Sequence, residues 1–71
     1  MSMIIAVRKN KGKIIDCKLD DGRELSHSDI VDAINRGKIA GCIVVTTDDG
    51  EEMIKSNNSI PGFSLSSLPL F

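Results

Sequence analysis

The sequence predicts a small α+β domain of order β-β-β-α-β-β: a mostly antiparallel sheet of two hairpins, one helix and an ordered apolar C-terminal tail. Three observations carry that prediction. Short runs rich in Ile and Val are divided by turn signals, "KNKGK" and two Asp-Asp-Gly loops. One segment, "LSHSDIVDAINRG", replaces alternation with helical spacing and carries a start signal at one end and a stop signal at the other. The closing stretch "SIPGFSLSSLPLF" holds Phe63 and Phe71, the only aromatic residues, and is too apolar to be a disordered tail.

The first strand is "MIIAVRK", with Met3, Ile5 and Val7 on one side. After the turn, "IIDCKL" alternates, placing Ile15, Cys17 and Leu19 on one face. Setting Val7 opposite Ile15 brings Ile5 to Cys17 and Met3 to Leu19, so the two apolar rows coincide. The reverse face then mixes Ile4, Ala6 and Ile14 with Arg8, Asp16 and Lys18. Asp20-Asp21-Gly22 suits a three-residue hairpin loop with Gly22 left-handed, a register that puts Leu25 across from Cys17. The third strand is short.

The helix signals cover Ser28 to Arg36. Ser26 is the N-cap, with Asp29 three residues on, and Leu25 and Ile30 make a hydrophobic staple. Ile30, Ala33 and Ile34 form the buried stripe, with Val31 beside it. Gly37 ends the helix as a left-handed residue. A second hairpin, "GCIVVTTDDGEEMIKS", repeats the Asp-Asp-Gly loop. Superposing the loops aligns Ile15 with Ile43, Cys17 with Val45 and Leu25 with Met53, through old duplication or a shared turn solution. Val45 and Ile34 are expected in the core. Neither loop has the oxygen spacing of a calcium site.

One domain spans 1–71, with 1–56 as its core and 57–71 as a tail that packs on that core or on a neighbouring subunit. The apolar surfaces for tail or subunit packing are Ile4, Ala6, Ile14, Phe63, Leu65, Leu68 and Phe71. A chain this short buries only about 60% of its unfolded surface, so a further staple is expected. Cys17 and Cys42 read as reduced core thiols, His27 is the only histidine, and no metal or other cofactor is expected. Self-association is left as the staple, and the expected partner is therefore a second copy of the chain. No run of 18 apolar residues suits a membrane span, and the opening "MSMIIAVRKNKGK" is unlike a signal peptide, so the expected location is the cytoplasm.

The net charge is −1, but it is unevenly placed. Arg8, Lys9, Lys11 and Lys13 cluster without an acid, and Asp48, Asp49, Glu51 and Glu52 cluster without a base. Solvated loops explain both clusters, as does attraction between subunits or a basic lip for an anionic ligand.

"IAVRK", Gly12 to Ile14, "KLDDGREL" from Lys18 to Leu25, "GKIAG" from Gly37, "DGEEMI" from Asp49 and the ending "LSSLPLF" together resemble a known family. It is the family of short bacterial and phage proteins catalogued as domain of unknown function number three-eight-nine-two. Similar members close with Leu-Pro-x-Phe, here Leu68-Pro69-Leu70-Phe71. The resemblance implies that the tail is part of the domain, and it implies no activity.

Function is therefore ranked from the residues. The leading expectation is a non-enzymatic binding module acting as a homo-oligomer. The alternative is sequestration of a small anionic or nucleotide-like ligand, as in phage or bacterial conflict, with Arg8, Lys13, Arg23, Arg36 and Lys38 as binding residues. Nucleic-acid binding is disfavoured by the negative net charge and the lack of stacking aromatics outside the tail. An enzyme is disfavoured because no nucleophile and base stand at a telling spacing.

Overall fold

A computed structural model describes residues 1–57 and 59–71. Its elements are β1 (Ile4–Asn10), β2 (Lys13–Leu19), β3 (Glu24–Ser26), α1 (His27–Asn35), β4 (Cys42–Thr46), β5 (Glu52–Ser56) and a 3-10 turn, Leu65–Ser67. The order is β-β-β-α-β-β, an α+β domain. The strands form two antiparallel sheets rather than one, β1-β2-β3 and β4-β5.

The β1–β2 loop is Lys11-Gly12, both left-handed at φ 53° and 79°, as a two-residue hairpin turn demands. The strands it joins do not keep the expected register. Ile4 pairs with Leu19 and Ala6 with Lys18, so Ile5 is an extra residue in β1. Arg8 pairs with Asp16 and Lys9 with Ile14, so Ile15 is an extra residue in β2. Each bulge resets the alternation. Val7 therefore faces Cys17, not Ile15, and the core row is Ile4, Val7, Cys17 and Leu19, while Ile5 and Ile15 are exposed. Ile4, expected on the reverse face, is a core residue at 1% exposure.

The helix is written in local chemistry. Ser26 caps it, its hydroxyl accepting from the Asp29 N–H at 3.5 Å. At the other end the Lys38 N–H reaches the Ala33 carbonyl and the Gly37 N–H the Ile34 carbonyl, the double closure that a left-handed Gly37 allows. The buried residues of α1 are Ile30 and Val31. Ala33 and Ile34 are only partly buried against the core, short of the expected full burial of Ile34.

The two Asp-Asp-Gly loops adopt one geometry. Leu19 donates to the Arg23 carbonyl and Gly22 to the Leu19 carbonyl; Thr47 donates to the Glu51 carbonyl and Gly50 to the Thr47 carbonyl. Cys17 pairs with Leu25 in the first hairpin and Val45 with Met53 in the second. Val45, expected in the core, is only half-buried; Cys42 and Ile54 are the buried residues of this hairpin, and Val44 packs on the core beside them.

The tail lies on the core of its own chain. Leu65 is buried, and Phe63 and Leu68 pack against the core. The Leu65 N–H donates to the Ser56 hydroxyl at 2.8 Å. Val7 donates to the Pro69 carbonyl at 3.0 Å and Phe71 to the Val7 carbonyl at 3.1 Å, a parallel bridge on the outer edge of β1. Pro69 contributes only an acceptor there, the one main-chain role open to it.

Candidate functional site

A groove of about 750 Å³ runs between β2 and β5. A strand that offers a face to a cavity lines it with alternate residues, whereas one that offers an edge lines it with consecutive ones. Here β5 contributes Glu52 to Ser56 without a gap, and the β2 side contributes Gly12 to Ile15. Pairing with β3 covers only Asp16 to Lys18, so β2 is open on that side over Lys13–Ile15. His27 at the helix start and Ser64 to Ser66 of the tail complete the lining.

The apolar part consists of Ile14, Ile15, Met53, Ile54 and Leu65. The charged rim is Lys9, Lys13 and Lys55 against Glu51 and Glu52. Lys13 reaches Glu51 at 2.5 Å and ties β2 to the start of β5. The Glu51 hydrogen bond and charge raise the Lys13 pKa above its ordinary value. In the adjoining loop, the Thr47 hydroxyl and then the Glu51 N–H hold the Asp49 carboxyl below the usual carboxylate range.

A family model described as protein of unknown function (DUF3892) matches residues 3–69. The chain belongs to the DUF3892 family. The match spans both walls of the groove and the tail residues that close it. No curated protein and no solved structure matches the chain. The DUF3892 description assigns no activity, so chemistry has to come from the residues.

The five cations singled out from the sequence are not gathered at one place. Only Lys13 lines the groove. Arg8 pairs with Asp16 at 3.3 Å, donates through Nε to the Phe71 carbonyl at 3.3 Å and stacks over the Phe71 ring at 4.6 Å. Arg36 pairs with Asp32 one helical turn back at 3.0 Å. Arg23 pairs with Asp21 at 2.7 Å and, with Lys38, lines a smaller cleft of about 370 Å³ beside Met1, Ser2 and Gly37. Lys9, Lys55, His27 and Met53 belong to the groove and were not singled out as binding residues. The signal for them was a doubled apolar pair in each wall, Ile14-Ile15 and Met53-Ile54, where alternation would have allowed only one inward residue.

Among the described residues, no group of three or more His, Cys, Asp or Glu is placed to hold a metal ion. Cys17 and Cys42 are buried free thiols. Burial pushes the Cys17 thiol up to about 11, with Cys42 and Asp16 adding to the shift, and burial alone does the same to Cys42. Such thiols are poor nucleophiles at neutral pH. No described helix is long and apolar enough to cross a membrane.

Proposed function

We propose that this DUF3892 domain is a non-enzymatic binding module whose site is the groove between β2 and β5. The observation that carries the reading is the groove itself. Its volume of about 750 Å³ lies inside the range of ligand sites, roughly 300–1,000 Å³, and its composition is theirs: an apolar lining with a few charged groups at the rim. Of the hydroxyls in it, Ser64 and Ser66 bond to each other at 2.8 Å and Ser56 accepts from the Leu65 N–H, so these bonds go to partners other than an imidazole, which favours binding over catalysis. The module works as a homo-oligomer. Ile43, Val45 and Met53 stand half-exposed to exposed on the outer side of β4–β5, and a second copy supplies their cover. Lys13 and Glu51 already meet within the chain, so the charge open to a like partner is that of the exposed Lys11 on the β1–β2 loop and Asp48 on the β4–β5 loop.

Lys9, Lys13 and Lys55 at the rim support a second reading, a small anionic ligand. The test is a nuclear magnetic resonance titration with nucleotides, inorganic phosphate and short peptides, run beside light scattering. Shifts at Ile14, Met53 and Lys55 are expected for the binding probe, with a mass above that of one chain. Shifts confined to the Arg23–Lys38 cleft would defeat the groove as the site, and a monomer mass would defeat the oligomer.

A further inference from the structure

We infer that the groove takes an extended peptide strand, carrying carboxylates, that adds to the free edge of β5. This rests on the groove being the binding site. The first argument is the direction of the β5 main chain. Thr47 donates to the Glu51 carbonyl and Asn57 to the Gly41 carbonyl, which marks 47–51 and 41–57 as hydrogen-bonded pairs. Bonded and non-bonded pairs alternate along an antiparallel ladder. Met53 with Val45 and Lys55 with Ile43 are then the bonded pairs between them, and the main-chain groups of Glu52, Ile54 and Ser56 point away from β4. They point to the side on which all five β5 residues line the groove. No other strand pairs with that edge among the described residues.

Three residues spaced two apart, each presenting an N–H and a C=O, match the repeat of an added strand. A small ligand satisfies one or two such groups, whereas an extended peptide satisfies the row. The groove also sets the size of the guest. It is walled opposite β5 by Gly12 to Ile15 and flanked by Ser64 to Ser66, a bounded trough of about 750 Å³ that suits one extended chain. Charge sets its sign. Glu51 is already engaged by Lys13, which leaves Lys9 and Lys55 facing Glu52 alone and the rim net positive. Side chains of the guest that point inward meet the apolar residues Ile14, Ile54 and Leu65.

The experiment uses the full chain and two synthetic peptides. One is an acetylated, amidated peptide of alternating valine and glutamate. The other is its twin, N-methylated at the backbone nitrogens that would face β5. The first is expected to bind, to shift the amides of Glu52, Ile54 and Ser56 and to slow their hydrogen exchange. The twin is expected to bind at least about tenfold more weakly, since each lost main-chain hydrogen bond costs about two- to tenfold and more than one is lost. Lys55→Glu is expected to weaken the first peptide and to steepen the loss further at low salt. Lys55 is exposed, so this variant keeps the fold. Equal binding of the two peptides would overturn strand addition and leave the groove reading standing. So would failure of both peptides while a nucleotide or inorganic phosphate shifts the groove amides. If no probe moves the groove amides, both readings fall. A free chain that already protects Ile54 in a concentration-dependent way would assign the edge to a second copy and overturn the peptide as its occupant.

Discussion

The β2–β3 and β4–β5 hairpins share a loop sequence, a loop hydrogen-bond pattern and a register, yet they bury opposite faces. In the first, the Cys17–Leu25 pair faces the core, and Asp16, Lys18, Glu24 and Ser26 face away. In the second, the corresponding pair is Val45–Met53, and it faces away, while Val44–Ile54 turns inward. An Asp-Asp-Gly loop fixes which residues are opposite each other. It does not fix which side of the ribbon is covered. That is decided by what each ribbon finds: α1 lies against β2 and β3 of the first hairpin and against β4 of the second. The first hairpin was constrained by its charges to one facing. The second, apolar on both sides at Val44-Val45 and Met53-Ile54, had a choice, and its outer face is left apolar. The edges differ in the same way. The outer edge of β1 is covered by the tail through Val7 and Leu70, and the outer edge of β5 opens on the groove.

The largest effect is expected from removing the cover of the first region. A chain stopped after Asn57 loses Phe63, Leu65 and Leu68 from the core and the bridge on β1. Burying a single Leu, Ile or Phe is worth about 1.5–3 kcal/mol, and total stability in domains of this size lies near the low end of about 5–15 kcal/mol. The truncated chain is expected to show no cooperative thermal transition by circular dichroism. A transition within a few degrees of the full chain would mean that the tail adds no cover.

The opposite facing of the hairpins has its own test. Ile54→Ala is expected to cost about 2–5 kcal/mol, because Ile54 is an inward residue of its ribbon at 8% exposure. Its neighbour Met53, 39% exposed, is expected to accept Thr at about 0.5 kcal/mol or less in urea melts of dilute protein. Equal costs would erase the distinction between the two faces. A cost at Met53 that grows with protein concentration would instead mark that face as buried between copies.

Much of this was legible in the sequence, and what was not has identifiable causes. The helix was legible because its signals are local: Ser26, Asp29 and Gly37 each act on main-chain groups within a few residues. Both Asp-Asp-Gly loops were legible for the same reason. The β1–β2 register was not, because the bulges at Ile5 and Ile15 insert residues whose chemistry is that of their strand neighbours. The facing of β4 was not, because Val44 and Val45 carry the same side chain. The groove draws on β2, β5, the helix start and the tail; the doubled pairs Ile14-Ile15 and Met53-Ile54 mark its two walls but carry no sign that the walls meet, and of the five cations chosen for their charge only Lys13 lines it.

The inward thiols give the next smaller effect. Their folded pKa of about 11 stands above the ordinary 9.0, so the folded state holds protons that the unfolded state releases. Stability from this source is complete below pH 9.0, falls as pH rises and is lost above about 11. At pH 10 the loss is expected to be about 1 kcal/mol per thiol, checked by melts of the chain against Cys17→Ala and Cys42→Ala. The same chemistry sharpens the hairpin comparison. Val45→Cys places a thiol at the position equivalent to Cys17 but on the outer face, and it is expected to react with a thiol reagent at pH 8 long before Cys17 does. Similar rates would mean that the two faces are equally open.

The smallest effect concerns the end of the tail and separates the two strand edges. Arg8 stacks on Phe71 at 4.6 Å, donates to its carbonyl and pairs with Asp16. Arg8 is exposed, so its ion pair contributes little. The stacking of a planar guanidinium on a ring at an exposed site is worth about 0.5–1 kcal/mol, and a lysine ammonium does not reproduce that geometry or the Nε donor. Arg8→Lys keeps the charge and is expected to lower stability by about 0.5 kcal/mol, close to the limit of a urea melt. The sharper readout is local. Phe71 donates to the Val7 carbonyl, and that bond closes only while the tail end lies along β1. Its amide is expected to exchange faster in Arg8→Lys, while the amides of Met53 and Lys55, bonded within the other hairpin, keep their rates. The outer edge of β1 would then begin to resemble that of β5. Unchanged exchange at Phe71 would show that the main-chain bridge holds the tail without Arg8.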